Sequence, residues 1–210
     1  QKRELGRSGI AIAPLVFGGN VFGWTADEDR SFALLDRFVE RGFNAIDTAD
    51  SYSAWVPGNQ GGESETVIGN WLRQRGRRDD VMLMTKVGMW ERRKGLSAAN
   101  IEAAVEDSLR RLGTDYIDVY FAHIDDAETP LEETLTAFSR LVDAGKVRAL
   151  GASNYSAERL QEALKLSADK GLPRYEVLQP EYNLYDRHGF ESGLGEVARS
   201  NGLGAICYFA

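Results

Sequence analysis

With 210 residues, 43% of them hydrophobic and 27% charged, the chain has the make-up of a soluble globular protein and room for one large domain or two small ones. A net charge of −7 argues against nucleic acid or an anionic membrane as the main partner, though not against a local basic pocket. The single cysteine, Cys207, leaves no internal disulfide; with no apolar run long enough for a bilayer and no signal-like N-terminus, a cytoplasmic protein is expected.

In chain order, Lys2 to Ile10 is polar around a Gly6-Arg7-Ser8-Gly9 turn and predicts a small β-hairpin. Leu15 to Gly19 reads as a strand ending in two glycines. Asp27 to Arg41 carries Phe32, Leu34, Leu35, Phe38 and Val39 at helical spacing, and Gly42 follows as a left-handed cap. The alternation is then regular: strand Asn44–Ala49 and helix Ser64–Gln74, strand Val81–Val87 and helix Ala98–Leu112. Strand Tyr116–His123 precedes helix Leu131–Ala144, and strand Val147–Ser153 precedes helix Ala157–Lys170. Strand Glu176–Glu181, helix Glu191–Ser200 and a last strand, Leu203–Phe209, complete the series. Glycines 76, 113, 145, 171 and 202 stand where helices should end.

Strands that each feed a helix, at roughly thirty-residue spacing, are βα units. They fit a doubly wound sheet or a (β/α)₈ barrel. The first βα turn reads Gly18-Gly19-Asn20-Val21-Phe22-Gly23, not G-x-G-x-x-G, so the barrel is preferred. No linker or low-complexity tract divides the chain, and residues 1–210 are expected to form one domain. Barrels of this type run to about 250 residues, so the expectation is either further residues beyond Ala210 or a barrel left open at its last stave.

In such a barrel the C-terminal strand ends converge on the active face. Those ends carry Gly18 and Gly19, Asp47 with Tyr52 in its loop, Lys86, His123, Ser153 with Asn154, Gln179 and Tyr208. Asp47 sits in an otherwise apolar segment, and a buried carboxylate demands a cation or several donors. Lys86 would supply the cation. Beside Tyr52, whose ordinary pKa is near 10, the ammonium would favour the phenolate and lower that pKa. His123 would hydrogen-bond a substrate oxygen or share a proton with Tyr52. Together these groups make a general-acid assembly aimed at a carbonyl oxygen. Two histidines and one cysteine, with no ligand spacing around His123 or His188, offer no metal site. Each residue also has a plainer reading: Asp47 and Lys86 as a structural ion pair, Tyr52 as a loop aromatic, His123 as a core histidine, Ser153-Asn154 as turn and cap.

Taken in register, the stretches Gly42-Phe43-Asn44-Ala45-Ile46-Asp47-Thr48-Ala49 with Tyr52, Glu65-Thr66-Val67-Ile68-Gly69, Thr85-Lys86-Val87 and Leu109–Tyr120 resemble the aldo-keto reductase superfamily. Gly145–Asn154 and Gln179-Pro180-Glu181-Tyr182-Asn183 extend the resemblance. It implies a (β/α)₈ barrel that uses NADPH to reduce small-molecule aldehydes or ketones; NAD stays open, because the basic residues usual for the 2′-phosphate do not appear after the seventh strand. It implies Tyr52 as general acid, Lys86 and Asp47 as its tuning pair, and His123 as the substrate-orienting residue. Ser153, Asn154 and Gln179, with Asp47 beside them, would hold the nicotinamide carboxamide, Tyr208 would stack on the ring, and Gly18 and Gly19 would let backbone approach it. Trp24, Trp55 and Trp90 would wall the substrate pocket, or else pack at its rim. Asn44 stands where the family has arginine and reads as a neutral change. Three alternatives stand beside the reductase reading: a non-catalytic cofactor-binding subunit, which the set Asp47, Tyr52, Lys86 and His123 speaks against; a lyase using Lys86 as a Schiff-base nucleophile, disfavoured by the acid that keeps Lys86 protonated; and a purely structural barrel, which leaves the polar strand ends unexplained. A homo-oligomeric assembly stays open.

Overall fold

A computed structural model of the chain describes residues 1–209. A hairpin of two-residue strands, β1 (Arg3–Glu4) and β2 (Ala11–Ile12), pairs antiparallel, so it runs two residues past the expected end at Ile10. Then come β3 (Val16–Gly18), α1 (Glu28–Glu40), β4 (Ala45–Asp47), α2 (Glu63–Arg75), β5 (Met82–Val87) and α3 (Ala98–Leu112). The chain continues with β6 (Ile117–Ala122), α4 (Leu131–Asp143), β7 (Val147–Ser153), α5 (Ala157–Lys170), β8 (Tyr175–Gln179), α6 (Gly195–Asn201) and β9 (Gly204–Ala205). Among the described residues, β3 to β9 form one parallel seven-stranded sheet in sequence order, the layout of a partial (β/α)₈ barrel. None of the described helices is long and apolar enough to cross a membrane.

The strands lack apolar-polar alternation because both faces are buried, each in a separate core. Tyr120 and Ala122 of β6 face a large cluster under the helices, whereas Val119 and Phe121 face a second cluster inside the curled sheet. The inner cluster also holds Ala45, Met84, Ala149, Val177 and Ile206, and the hairpin closes its floor with Leu5, Ile10 and Ile12. Gly151 makes room there: a Cβ would lie 2.3 Å from the Phe121 ring. The helices present apolar stripes to the outer cluster; α3 buries Ile101, Ala104, Val105, Leu109 and Leu112 at helical spacing. Ser97 and Ser156 cap α3 and α5 by accepting from the amides of Asn100 and Arg159. Gly42 takes φ +84° after α1, as its position predicts.

Three expectations need correcting. The last strand does not run Leu203–Phe209 but only Gly204–Ala205, because its ladder with β8 meets Pro180, which has no N–H to donate. Beyond that break the amide of Tyr208 still donates to the Pro180 carbonyl at 3.1 Å. The helix expected over Glu191–Ser200 is split into a π-turn, Phe190–Leu194, and α6, with Gly193 at φ +155° breaking the path. Finally, Asn44 is not a neutral change. Its buried amide accepts from the Ala13 N–H at 2.9 Å and donates to the Ala11 carbonyl at 3.1 Å, stapling the hairpin segment to the sheet.

Replacing Asn44 by alanine strands the buried Ala13 N–H, worth about 1–3 kcal/mol when left unpaired in the interior, and also removes the tie to the Ala11 carbonyl. Urea unfolding of Asn44→Ala is expected to show a loss of about 2 kcal/mol or more; a change under about 0.5 kcal/mol would mean the hairpin is held by its apolar plug alone.

Candidate active site

The parallel register sets the strand ends side by side: Gly18 lies opposite Asp47, and Ser153 opposite Gln179. Lys86, near the end of β5, is fully buried. Its Nζ donates to Asp47 Oδ2 at 2.7 Å and to the Thr48 carbonyl at 2.7 Å, and lies 3.4 Å from the Tyr52 hydroxyl. The ammonium also sits 4.9 Å from the centre of the Tyr52 ring. Burial pulls the lysine's pKa down, but the charges of Asp47 and Tyr52 outweigh it and hold the pKa above its ordinary value.

A line of hydrogen bonds continues from this pair around the barrel mouth. Asp47 Oδ1 accepts from Gln179 Nε2 at 3.2 Å, and the Gln179 carbonyl accepts from Ser153 Oγ at 2.9 Å. Asn154, in the left-handed region at φ +56°, donates to Ser153 Oγ at 3.2 Å and to the His123 carbonyl at 2.9 Å. Tyr208 closes the line by donating to Asn154 Oδ1 at 2.7 Å.

These groups face a cavity of about 1400 Å³. Its wall includes Asp47, Tyr52, His123, Ser153, Asn154 and Gln179, with Gly18 and Tyr208. Trp55 and Trp90 are also on it; Trp55 meets the Tyr52 ring edge-to-face at 5.6 Å. Three expected residues lie off the wall. Lys86 is behind Tyr52. Trp24 packs edge-to-face on Trp55 at 5.9 Å from outside. Gly19 is buried against its own fold, where a Cβ would come within 2.9 Å of the Asp47 carbonyl and of Ser64 Oγ. The wall also holds Asn20, Gln60, Met89 and Arg92, which the sequence reading did not single out because they follow the strands in loops without a periodic pattern.

The electrostatics differ from expectation at Tyr52. Its pKa is raised rather than lowered: burial is the largest cause, Lys86 pulls down, and Asp47 pushes up again. The phenol therefore keeps its proton at neutral pH, while the nearby ammonium would stabilise the phenolate left after proton donation. His123 is buried, with Nδ1 lacking a partner among the described residues, and its ring lies 5.9 Å from that of Tyr52. Burial and the Lys86 charge push its pKa from 6.5 down to about 3, so the imidazole is neutral and acts only as a hydrogen-bonding group at pH 7.

A histidine with a depressed native pKa contributes stability that is present above its unfolded pKa near 6.5 and lost as pH falls toward about 3. Thermal melts of His123→Gln and the unmodified chain are therefore expected to converge as pH drops from 7 to 4. A parallel decline of both curves would mean that other groups set the acid limb.

A model of the Aldo/keto reductase family matches residues 14–210. Over 87 residues the chain is 64% identical to the "Uncharacterized 11.2 kDa protein in crtE 3'region" of Pseudescherichia vulneris, covering 41% of this chain and 84% of that protein. Over 209 residues it is 37% identical to the "Probable voltage-gated potassium channel subunit beta" of Oryza sativa subsp. japonica, covering 97% of this chain and 62% of that one. Over 205 residues it is 35% identical to "Aldo-keto reductase YhdN" of Bacillus subtilis (strain 168), covering 96% and 57%. The chain thus spans about three fifths of the length of the last two. The match over nearly the whole chain, joined to a parallel barrel sheet of this order, makes this chain a member of the aldo/keto reductase family.

Proposed function

We propose that residues 1–210 form one domain carrying the catalytic face of an NADPH-dependent reductase of aldehydes or ketones. The observation that carries this reading is the position of Lys86 Nζ, which serves Asp47 and approaches the Tyr52 hydroxyl behind a wall open to a large cavity. NADPH, when bound, would supply the hydride for the carbonyl carbon. Tyr52 Oη would give its proton to the carbonyl oxygen, and the Lys86 ammonium would hold the resulting phenolate. Neutral His123 would donate to the same oxygen and orient it. Trp55 and Trp90 would shield the reacting carbonyl from water and favour an apolar or aromatic substituent.

The wall suits a carboxamide. Gln179 has spent one amide hydrogen on Asp47 and keeps a donor and its carbonyl oxygen; Asn154 Oδ1, holding Tyr208, keeps a second lone pair. Ser153 would serve mainly by fixing Gln179. Tyr208 offers a ring for stacking. The phosphate preference, NADPH over NADH, rests on family membership, and the lone Cys207 keeps the proposal in a reducing, cytoplasmic setting.

A second reading is favoured by the rice relative's printed name: the same barrel would bind the cofactor as a regulatory subunit without turning it over. The two readings separate in one assay. NADPH oxidation with a reactive aromatic aldehyde is expected for the unmodified chain, and Tyr52→Phe is expected to lower kcat by roughly 100- to 10,000-fold. Cofactor affinity, measured by nucleotide fluorescence, should stay within about threefold, since the lost hydroxyl lies on the substrate side. Nucleotide binding without turnover would support the regulatory reading, and activity that survives in Tyr52→Phe would remove Tyr52 as the acid.

A further inference from the structure

Asp50 lies three residues past Asp47, on the turn that carries the chain from β4 to Tyr52. It is fully buried, and neither carboxylate oxygen has a hydrogen-bond partner among the described residues. The Tyr120 hydroxyl, on the outer face of β6, is equally buried and equally unpartnered. The cations around this layer are committed elsewhere. Arg111 of α3 donates through Nε to Glu65 Oε2 at 2.6 Å, while Glu65 Oε1 accepts from Thr85 Oγ1 at 2.5 Å. Lys86 directs its ammonium to Asp47, and only its carbonyl meets Asp50, accepting from the Asp50 N–H at 3.3 Å. Two carboxyl groups, Asp50 and Glu65, thus share a water-poor layer with one guanidinium that already serves Glu65. A buried carboxylate with no side-chain donor, only the neighbouring Ser51 N–H close by and both nearby cations paired elsewhere is not stable as an anion and neutralises instead.

We propose that Asp50 is a protonated internal acid whose neutrality keeps the Lys86–Tyr52 pair in place by leaving Asp47 alone to hold the ammonium. An ionised Asp50 would set a second negative charge near Lys86, compete with Asp47 for it and hold the Tyr52 phenol more tightly to its proton. The groups facing Asp50 are Glu65 from α2, Arg111 from α3, Lys86 from β5 and Tyr120 from β6, with Tyr52 on its own loop. In keeping with that set, burial first and the Glu65 charge next push the Asp50 pKa from 3.8 up to about 8, against weaker pulls from Arg111, the Ser51 N–H and Lys86. The positioning role rests on the reductase reading of Tyr52; the buried proton does not.

The first test is infrared spectroscopy of the unmodified chain, Asp50→Asn and Glu65→Gln. A carbonyl stretch of a protonated carboxyl is expected at pH 6, kept in Glu65→Gln, absent in Asp50→Asn, and lost in the unmodified chain as pH rises through about 8. Absence of the band at pH 6, or its loss in Glu65→Gln alone, would overturn the assignment of the proton to Asp50. Thermal melts give a second handle. A raised native pKa means stability that is full below the unfolded value near 3.8 and lost as pH climbs to about 8, so the Tm of Asp50→Asn should gain on the unmodified chain across that window. The electrostatic part of the positioning role is read without turnover, by following tyrosinate absorbance with Tyr52→Phe as the assignment control: Tyr52 titrates above the range in which Asp50 has ionised, so removing that second negative charge in Asp50→Asn should lower its midpoint. An unmoved Tyr52 midpoint with the infrared band present would overturn the positioning role. If no reductase activity is found, both spectroscopic results still decide the buried acid.

Discussion

The site depends on one buried ammonium. Lys86 has no exposed surface, and a lysine in that position is tolerated only where its charge and all three of its protons are met. Asp47 Oδ2, the Thr48 carbonyl and the Tyr52 hydroxyl meet them, and the three come from the end of β4 and the turn just after it. The short strand Ala45–Asp47 therefore does more than fill a place in the sheet: it delivers one carboxylate, one carbonyl and one phenol to a single cation. Because Asp47 is itself tied to Gln179, the charge pair is braced from the far side of the barrel.

The same arrangement explains why Tyr52 behaves differently from a tyrosine beside an isolated lysine. The ammonium does draw the phenolate, but burial is the larger effect and opposes it, and the Asp47 charge adds to that opposition. The outcome is a phenol that holds its proton in the resting site and has a cation within reach when the proton leaves. A general acid needs both properties. His123, stripped of its own charge by burial, places no second positive charge beside Lys86.

Much of this was legible in the sequence, and the misses have definite causes. The βα repeat was readable because helix periodicity and cap glycines recur in step, and the polar residues closing apolar strands, Asp47, Lys86, His123, Ser153 and Gln179, pointed to the convergent face. Strand limits were less legible: the Leu203–Phe209 run is apolar throughout, yet pairing stops at Ala205 because of a proline on the neighbouring strand, which no local pattern reports. Asn44 looked neutral because its partners, Ala11 and Ala13, lie about thirty residues upstream and are bonded through backbone. The sign of the Tyr52 shift was missed because sequence names the charged neighbours but not the depth of burial. At Gly19 the sequence did not report that the lack of a side chain also serves the packing against Asp47 and Ser64.

The Gln179–Asp47 hydrogen bond joins residues 132 positions apart, whereas neighbouring strands in this sheet are linked through successive units of the chain. Assembly can proceed stave by stave through short-range closures, each of which costs about 1 kcal/mol less loop entropy than drawing β8 back to β4 directly. The link that braces the charge pair needs β8, which follows β4 and β5 in the chain. A chain emerging from the ribosome would hold Lys86 and Asp47 in proximity well before Gln179 arrives, so maturation of the polar mouth lags behind collapse of the two apolar layers.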